Sequence, residues 1–464
     1  MLVIIKAIVV MNAFGKSGKS LSFLRLVLLM MLPAISYSSC LVAALKYRDL
    51  DGEKYVPPAT TSTISICTIV DNGYVVPLVD HLNSAALGMP SDCFARYYII
   101  GMGLSDDNRA QLLRYNQYPK DTQYPSMQVS IVDGTPLMDR VLGVFGGMDP
   151  SRWPLIVFTK LLISDVPEFA HLSKIWYIDA DTIFSGNRIK YLADPDVLRT
   201  ADGQFVVGTN VYATDPVKLK ARIEKGLEPI DIQVMKAVTI PLKDWLIDGG
   251  VMLFNLAHMR DRGILERLLD VLRQILHEYQ GNPLLEVLTE ETPIHCILQQ
   301  GSRITFLPFK FNCNIEQIYA ATFTELALQA RGNPHHPAYK TITYMDAEYV
   351  NPVIAHMEGR KLKFWQMPLT DPLLREFFGE LWVVDRVISG EINLSDLPSD
   401  MREGVFTQLR FFYANVGSQN HLVQRMPIHL QQPIRELSDS LAPPQKQPTS
   451  RRKPTYKRGK RGAS

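Results

Sequence analysis

The chain has 464 residues, 46% of them hydrophobic, and 49 Lys and Arg against 47 Asp and Glu give a formal net charge of +2. This length allows one large domain or two ordinary ones with a substantial core, and the near-neutral charge gives no reason to expect sequence-specific nucleic-acid binding. The cysteines form no Cys-X-X-Cys pair or Cys/His cluster with zinc-ligand spacing; they are Cys40, Cys67, Cys93, Cys296 and Cys313. A dense disulfide framework is therefore excluded, although one or two disulfides stay open for a secreted chain.

A long apolar segment lies near the N-terminus. Residues 26–45 carry no charge, are numerous enough to cross a bilayer as a helix, and follow the basic residues Lys6, Lys16, Lys19 and Arg25. This pattern predicts a single-pass membrane anchor within residues 1–46, with a luminal catalytic part in the Golgi or secretory pathway if the cell is eukaryotic. A cleaved signal peptide and a secreted product is the alternative, because the strongest apolar core is short and serines follow it. Residues 47–63 are predicted to be a linker or stem.

Strand and helix patterns alternate from residue 64 onward. Apolar, β-branched runs predict strands at 64–70, 96–101, 127–132, 175–178, 205–208, 251–255, 304–308 and 353–355. Helical spacing and capping residues predict helices at 75–87, 105–115, 157–162 and 264–279. This alternation is typical of a doubly wound α/β fold with a mainly parallel sheet.

Two acids follow the apolar strand at 175–178. Asp179 and Asp181 lie two residues apart at its carboxyl end, where open α/β sheets bind their ligands. Residues i and i+2 of extended backbone point to the same side, so we expect both carboxylates to converge on one divalent cation that could clamp a diphosphate. An Asp-X-Asp pair by itself is more often part of a turn or a helix cap.

Two later segments add candidate residues, and the C-terminal part adds none. Gly249 and Gly250 precede an apolar run, which indicates close approach of the backbone to a ligand or another strand. His356 ends the predicted strand at 353–355, where imidazole serves as a structural hydrogen-bonding group or as a metal ligand. Residues 371–435 are predicted to be a helical extension. The Pro-, Ser- and Lys/Arg-rich residues 436–464 are predicted to be a disordered basic tail.

Together these segments resemble glycosyltransferase family 8, the group that contains glycogenin, galactinol synthases and bacterial lipopolysaccharide galactosyltransferases. The resemblance covers roughly residues 64–365, and the matching segments occur in the family's order at 71–74, 158–161, 177–182, 248–255, 307–312 and 356–365. It implies a GT-A type, Rossmann-like α/β fold over residues 64–370, with a mixed, mainly parallel sheet and flanking helices. It also implies metal-dependent transfer of a hexose from a UDP-sugar to a hydroxyl of a carbohydrate, lipid-linked or protein acceptor, with retention at the anomeric carbon.

The resemblance further implies roles for single residues. The ligands of Mn²⁺, or of another divalent cation, would be Asp179, Asp181 and His356. The donor-binding residues would be Asp71, Tyr74, Lys160, Asp179, Ala180, Asp181, Gly250, Gly359 and Lys363. The catalytic residues would be Asp248, Glu291 and Lys160.

Three departures from the family pattern keep other functions open. Asp248 stands where the family usually has Asn, Glu291 is the best match to the first residue of an Asp-Gln pair with Glu290 nearly as good, and one extra residue follows Gly359. A catalytically degenerate member that binds nucleotide-sugar or acts as a scaffold is therefore the alternative. A metal-dependent phosphohydrolase is a third reading, but no ligand set for a second metal is apparent. Retention would need a front-face attack or a covalent intermediate on a carboxylate, for which Glu291 is the candidate nucleophile.

Overall fold

A computed structural model describes residues 47–49, 56–119, 122–147, 154–184, 186–210, 247–278, 280, 288–299, 305–314, 353–356 and 425–431. The strands in these ranges are β1 (Tyr47–Asp49), β2 (Ser62–Asp71), β3 (Cys93–Met102), β4 (Gln117–Pro119), β5 (Met127–Asp133), β6 (Ile175–Ile178), β7 (Thr182–Phe184), β8 (Val206–Asn210), β9 (Ile247–Phe254), β10 (Cys313–Asn314) and β11 (Ile354–His356). The α-helices are α1 (Val75–Leu87), α2 (Asp106–Leu113), α3 (Thr135–Phe145), α4 (Pro195–Arg199), α5 (Leu256–Asp261), α6 (Ile264–Glu278) and α7 (Glu291–Gln299).

A six-stranded sheet forms the centre of the described structure. Its strand order is β5-β3-β2-β6-β9-β8. The pairings β5–β3, β3–β2 and β2–β6 are parallel, whereas β9 runs antiparallel to both β6 and β8. This order and the helices between the strands confirm the predicted GT-A type α/β fold with a mixed, mainly parallel sheet.

Apolar side chains cover both faces of this sheet. Ile66 and Trp176 belong to the core on the face that carries α1, and their neighbours Cys67 and Tyr177 belong to the core on the face that carries α6. Because side chains alternate between faces along a strand, a strand covered on both sides must be apolar throughout. The continuous apolar run of β6, in which every residue is buried, has this origin.

Local sequence signals define the helices well. The predicted helix at 75–87 is observed with those bounds as α1, and α2 begins after Ser105, whose hydroxyl accepts a hydrogen bond from the amide of Asn108. The helix predicted near 157–162 forms as 3₁₀ turns over Leu155–Asp165.

A second, three-stranded sheet has the order β10-β11-β7. β11 runs antiparallel to β7, with His356 opposite Thr182, and parallel to β10, with His356 opposite Asn314. The strand predicted at 304–308 is wrong in its described part: Leu307 makes only an isolated bridge to Thr209. Pro308 lacks an amide donor and leads into a 3₁₀ turn at Phe309–Phe311, which ends the extended backbone.

Two segments outside the central sheet make defined contacts with other parts of the fold. β1, which lies in the predicted linker, pairs antiparallel with β4. Arg425, in the predicted C-terminal extension, is buried and donates side-chain hydrogen bonds to the carbonyls of Pro90, Cys93 and Tyr124. The four cysteines in the described ranges are buried free thiols, so no two of them form a disulfide.

The predicted membrane anchor, residues 1–46, and the predicted basic tail, 436–464, lie outside the described residues. Among the helices that the structure describes, none combines the length and apolar character needed to cross a bilayer.

Candidate active site

The two acids lie in a turn directly after β6. Asp179 follows the last residue of the strand, and Ala180 and Asp181 form a turn before β7 begins. The amide of Asp179 donates to the carbonyl of Gly250 (2.8 Å), and the hydroxyl of Thr182 donates to the carbonyl of Asp179 (2.8 Å). The expectation of extended backbone between the acids is therefore wrong: the turn, and not the alternation along a strand, determines where the carboxylates point.

Asp179, Asp181 and His356 come together at this turn. Each offers a ligand atom, and these atoms all lie within 4.8 Å of one another. His356 Nε2 is 3.5 Å from Asp181 Oδ1 and 3.8 Å from Asp179 Oδ2. Adjacent ligands of a small octahedral cation are about 3 Å apart, since its bonds are about 2.1 Å. A slight inward movement of the side chains would therefore let the three residues hold a metal ion.

Electrostatics at the three residues favour a cation. Burial by itself lowers the pKa of His356, but the hydrogen bond and charge of Asp181, together with the charges of Asp248 and Asp179, raise it to about 9. The carboxylates thus create a negative potential strong enough to hold a proton on a buried imidazole. The same negative potential would attract a divalent cation.

Lys160 occupies the interior side of the site. Its amine donates to Glu290 Oε1 (2.8 Å) and to the carbonyl of Gly249 (3.3 Å), and it lies 3.3 Å from Asp179 Oδ1. It also lies 4.6 Å from the ring centre of Tyr177, whose hydroxyl donates to the same Asp179 oxygen. Asp179 Oδ1 is thus engaged by protein donors, which leaves Oδ2 facing His356.

The Lys160 ammonium stays charged despite its burial. Burial lowers the pKa of Lys160, but the charges of Asp179 and Glu290 outweigh this effect and raise it well above its usual value. The side chains of Lys160 and Glu290 are only 6% and 8% exposed, so this ion pair is almost fully removed from water.

Gly249 and Gly250 let β9 pass close to the functional side chains. A Cβ atom added to Gly250 would lie 2.1 Å from Cε1 of the His356 ring, and one added to Gly249 would lie 2.5 Å from Glu291 Oε1. The predicted close approach of the backbone is therefore observed, and the groups that it approaches are the His356 imidazole and the Glu291 carboxylate.

Asp248 and the two glutamates complete the acidic lining. Asp248 is buried and accepts a hydrogen bond from the amide of Gly250 (2.9 Å). Glu291 is the first residue of α7 and accepts from the amide of Gly249 (2.5 Å), whereas Glu290, directly before it, binds Lys160. Both glutamates therefore lie at the site, with different partners.

Comparisons with known proteins give similarity only to solved structures. No protein-family model matches the chain, and no curated protein matches it. The bifunctional glycosyltransferase WbbM aligns at 15% identity with a TM-score of 0.49, over 70% of this chain and 50% of its own. The galactosyltransferase LgtC, solved with donor and acceptor sugar analogues, aligns at 16% identity and 0.46, over 74% of this chain and 100% of its own. Mouse xyloside xylosyltransferase 1 aligns at 14% and 0.40, over 65% and 99%.

This chain therefore spans half the length of WbbM and the whole of LgtC. At these identities and TM-scores, the fold assignment rests on the strand order and connections of the chain itself. Membership of glycosyltransferase family 8 stays a prediction from the motifs.

The other predicted donor-binding residues lie apart from the metal ligands in the chain. Asp71 ends β2, where its carboxylate accepts from the amide of Gly73, and Tyr74 is 41% exposed just beyond it. β2 pairs in parallel with β6, so both residues follow the carboxyl end of a strand adjacent to the one that precedes Asp179. Gly359 and Lys363 lie outside the described residues.

Sequence reasoning assigned no role to two residues that the site uses. Asn312 is buried, and its Oδ1 lies 3.0 Å from His356 Nδ1. Tyr177 binds both Lys160 and Asp179, as described above. Asn312 belongs to the segment 307–312 that carried part of the family resemblance, so this segment was the available signal. Tyr177 begins the matching segment 177–182, but its place in the apolar run of a buried strand gave no sign of a polar role.

Proposed function

We propose that this protein is a metal-dependent glycosyltransferase that moves a hexose from a UDP-sugar to an acceptor hydroxyl with retention. The observation that carries the proposal is the convergence of Asp179, Asp181 and His356 at the carboxyl edge of the parallel strands. This edge is where α/β sheets bind nucleotides and other ligands.

The mixed ligand set supports Mn²⁺ as the ion. Two carboxylates and one imidazole combine hard oxygen donors with a nitrogen donor, a set that suits Mn²⁺ better than Ca²⁺. When bound, the ion would supply positive charge that stabilises the leaving nucleoside diphosphate. Without it, the five carboxylates of Asp179, Asp181, Asp248, Glu290 and Glu291 would repel a diphosphate, since Lys160 is already paired with Glu290.

The protein's own residues would position the donor and the reacting groups. Lys160 holds Asp179 Oδ1, so that Oδ2 faces the ion. Asp248 and Glu291 are fixed by the amides of Gly250 and Gly249, which gives two oriented acids beside the metal ligands. Such an arrangement fits hydrogen bonds to sugar hydroxyls and stabilisation of an oxocarbenium-like transition state.

The test is release of UDP from a panel of UDP-sugars by the purified protein, with Mn²⁺ or with a chelator, together with Asp181→Asn. The matched control is Asp202→Asn, because Asp202 is an exposed acid paired with Lys174 at the amino end of β6, the opposite edge of the sheet. We expect one donor to be turned over only with Mn²⁺, and we expect Asp181→Asn but not Asp202→Asn to abolish this activity.

Two other outcomes decide against the proposal. Metal-dependent UDP binding without turnover of any donor, across carbohydrate, lipid-linked and protein acceptors, would favour the degenerate binding protein that Asp248 suggests. If a folded sample neither binds UDP nor turns over any donor, a nucleotide-sugar function is refuted altogether. The membrane anchor and the luminal location are proposals from the sequence alone, as is the assignment of the transferred sugar to the hexoses.

A further inference from the structure

Asn312 contacts the one proposed metal ligand that can exist in two neutral forms. A neutral imidazole carries its proton on either Nδ1 or Nε2, and only the nitrogen without a proton can bind a metal. In His356, Nε2 faces Asp181 and Asp179 at 3.5 and 3.8 Å, while Nδ1 faces Asn312 Oδ1 at 3.0 Å. An amide oxygen accepts hydrogen bonds and cannot donate them. The Asn312 contact therefore requires the proton on Nδ1 and leaves Nε2 to the ion.

The backbone fixes this contact from both sides. Asn312 directly precedes β10, whose parallel register with β11 pairs Asn314 with His356. Asn312 therefore lies two positions before the residue opposite His356, and its side chain reaches the ring diagonally. The amide of Asn312 donates to the carbonyl of Phe309 (2.9 Å), and the amide of Val353 donates to that of Lys310 (2.7 Å). These backbone hydrogen bonds hold both segments next to the contact, so the Asn312 and His356 side chains keep their relative positions.

The imidazole ring is also held by close packing. Gly250 approaches it so closely that an added Cβ would lie 2.5 Å from Nδ1 and 2.1 Å from Cε1. Asn312 and His356 are only 1% and 3% exposed, so water does not replace the hydrogen bond between them. Among the described residues, Asn312 provides the hydrogen bond that orients the ring at its Nδ1 edge.

Stability by itself does not explain a polar residue at position 312. The Asn312 Nδ2 atom is buried and has no hydrogen-bond partner among the residues that the structure describes. A buried donor without a partner destabilises the fold, and this cost offsets part of what the hydrogen bond between Asn312 and His356 contributes to stability. The chain thus carries an unfavourable group whose oxygen serves His356, which indicates a functional reason for Asn312.

We propose that Asn312 is a positioning residue that fixes His356 with its proton on Nδ1, so that Nε2 presents its lone pair to the ion between Asp179 and Asp181. This inference rests on the metal site of the proposed function. Partners that hold the second nitrogen of a metal-binding histidine typically contribute about 10- to 100-fold to metal affinity.

The test compares Asn312→Leu with Asn312→Asp in the full-length protein. Leucine keeps the branched shape but has no acceptor, whereas aspartate keeps an oxygen opposite Nδ1. Mn²⁺ binding without nucleotide is measured by the electron paramagnetic resonance signal of the free ion, and thermal unfolding is measured in chelator. If Asn312→Leu does not fold, Asn312→Ala removes the acceptor without the added methyl groups.

We expect Asn312→Leu to bind Mn²⁺ about 10- to 100-fold more weakly while its melting temperature changes little, because the unpaired Asn312 amide donor is removed but the Nδ1 donor of His356 loses its acceptor. Asn312→Asp should bind within about threefold of the parent, since a carboxylate also accepts from Nδ1. A purely structural role would instead lower the melting temperature of Asn312→Leu without weakening Mn²⁺ binding by the folded variant. Parent-like Mn²⁺ binding by Asn312→Leu, or equally weak binding by both variants, overturns the proposal.

A second measurement separates this proposal from the proposed function. In metal-free protein labelled with ¹⁵N-histidine, the spectra are recorded at about pH 10, because the pKa of His356 is raised to about 9 and only the neutral ring has a single proton. The His356 signals are identified by their loss in His356→Gln, and their chemical shifts report which nitrogen carries the proton. If the parent binds no Mn²⁺, the proposed metal dependence fails. A proton on Nδ1 in that case retains the assignment of Asn312, and a proton on Nε2 overturns it.

Discussion

Replacing Lys160 should destabilise the protein far more than replacing a lysine whose acidic partner is exposed. In Lys160→Met, Glu290 loses its 2.8 Å partner inside the protein, and Asp179 loses a cation at 3.3 Å. Leaving one member of a buried ion pair without its partner typically costs about 3–5 kcal/mol. The control is Lys174→Met, because Lys174 pairs with the largely exposed Asp202, and such pairs contribute about 0–1 kcal/mol.

A double-mutant cycle with Glu290→Gln tests this explanation. Glu290→Gln should cost less than Lys160→Met, because Lys160 keeps Asp179 as a partner. The double variant Lys160→Met/Glu290→Gln should be more stable than the sum of the two single losses predicts, with a coupling free energy of about 2 kcal/mol. Free energies of unfolding from urea titrations at pH 7 in chelator, where no metal contributes, measure all four corners of the cycle.

The refuting results are definite. Additive losses would show that Lys160 and Glu290 do not depend on each other, and a loss below about 1 kcal/mol for Lys160→Met would show that the pair is not effectively buried. The coupling should also be the same at pH 6 and pH 8, because the raised pKa of Lys160 keeps its ammonium charged throughout this range.

Three further predictions concern a glycine, a histidine and an arginine. Gly250→Ala should abolish Mn²⁺ binding in a calorimetric titration, because its Cβ would lie 2.1 Å from the His356 ring, whereas the exposed Gly143, with open space around it, should accept alanine without effect. His81 is fully buried, and burial lowers its pKa from 6.5 to about 4 despite the opposing hydrogen bond of Thr182 and charge of Asp181. In the unfolded protein His81 therefore binds more protons than in the folded protein between pH 6.5 and 4. The contribution of His81 makes the free energy of unfolding fall by about 2 kcal/mol from pH 7 to 5. In urea titrations, His81→Gln should reduce this dependence on pH, and an unchanged dependence would contradict the lowered pKa of His81. Arg425→Met removes the side-chain hydrogen bonds to three carbonyls and should lower the free energy of unfolding by about 3 kcal/mol, with Arg425→Lys intermediate. A loss under about 0.5 kcal/mol would show that this segment does not anchor the fold.

Local patterns were sufficient to predict most single elements of the fold. The bounds of α1, the cap at Ser105 and the buried strand β6 each depend on neighbouring side chains, so a short window of sequence contains the information. The short strand predicted at 304–308 failed for a local reason too, since Pro308 was visible and argued against it.

The sequence alone did not decide between Glu290 and Glu291 as the catalytic acid. Both acids were candidates, and the pattern could not rank them. The structure gives each its own partner: Glu290 binds Lys160, which lies 130 positions away, and Glu291 binds the amide of Gly249. Because adjacent residues at a helix start point in different directions, the partner of each depends on what other segments place nearby.

The sequence by itself determined that two acids follow a buried strand at the ligand-binding edge of an α/β sheet, because hydrophobic periodicity and the strand end are local properties of the chain. Only the tertiary structure decided that these acids meet His356 and Asn312. That meeting depends on the antiparallel register of β11 with β7 and on its parallel register with β10. Such registers are set by how distant segments pack together, and no short stretch of sequence specifies them.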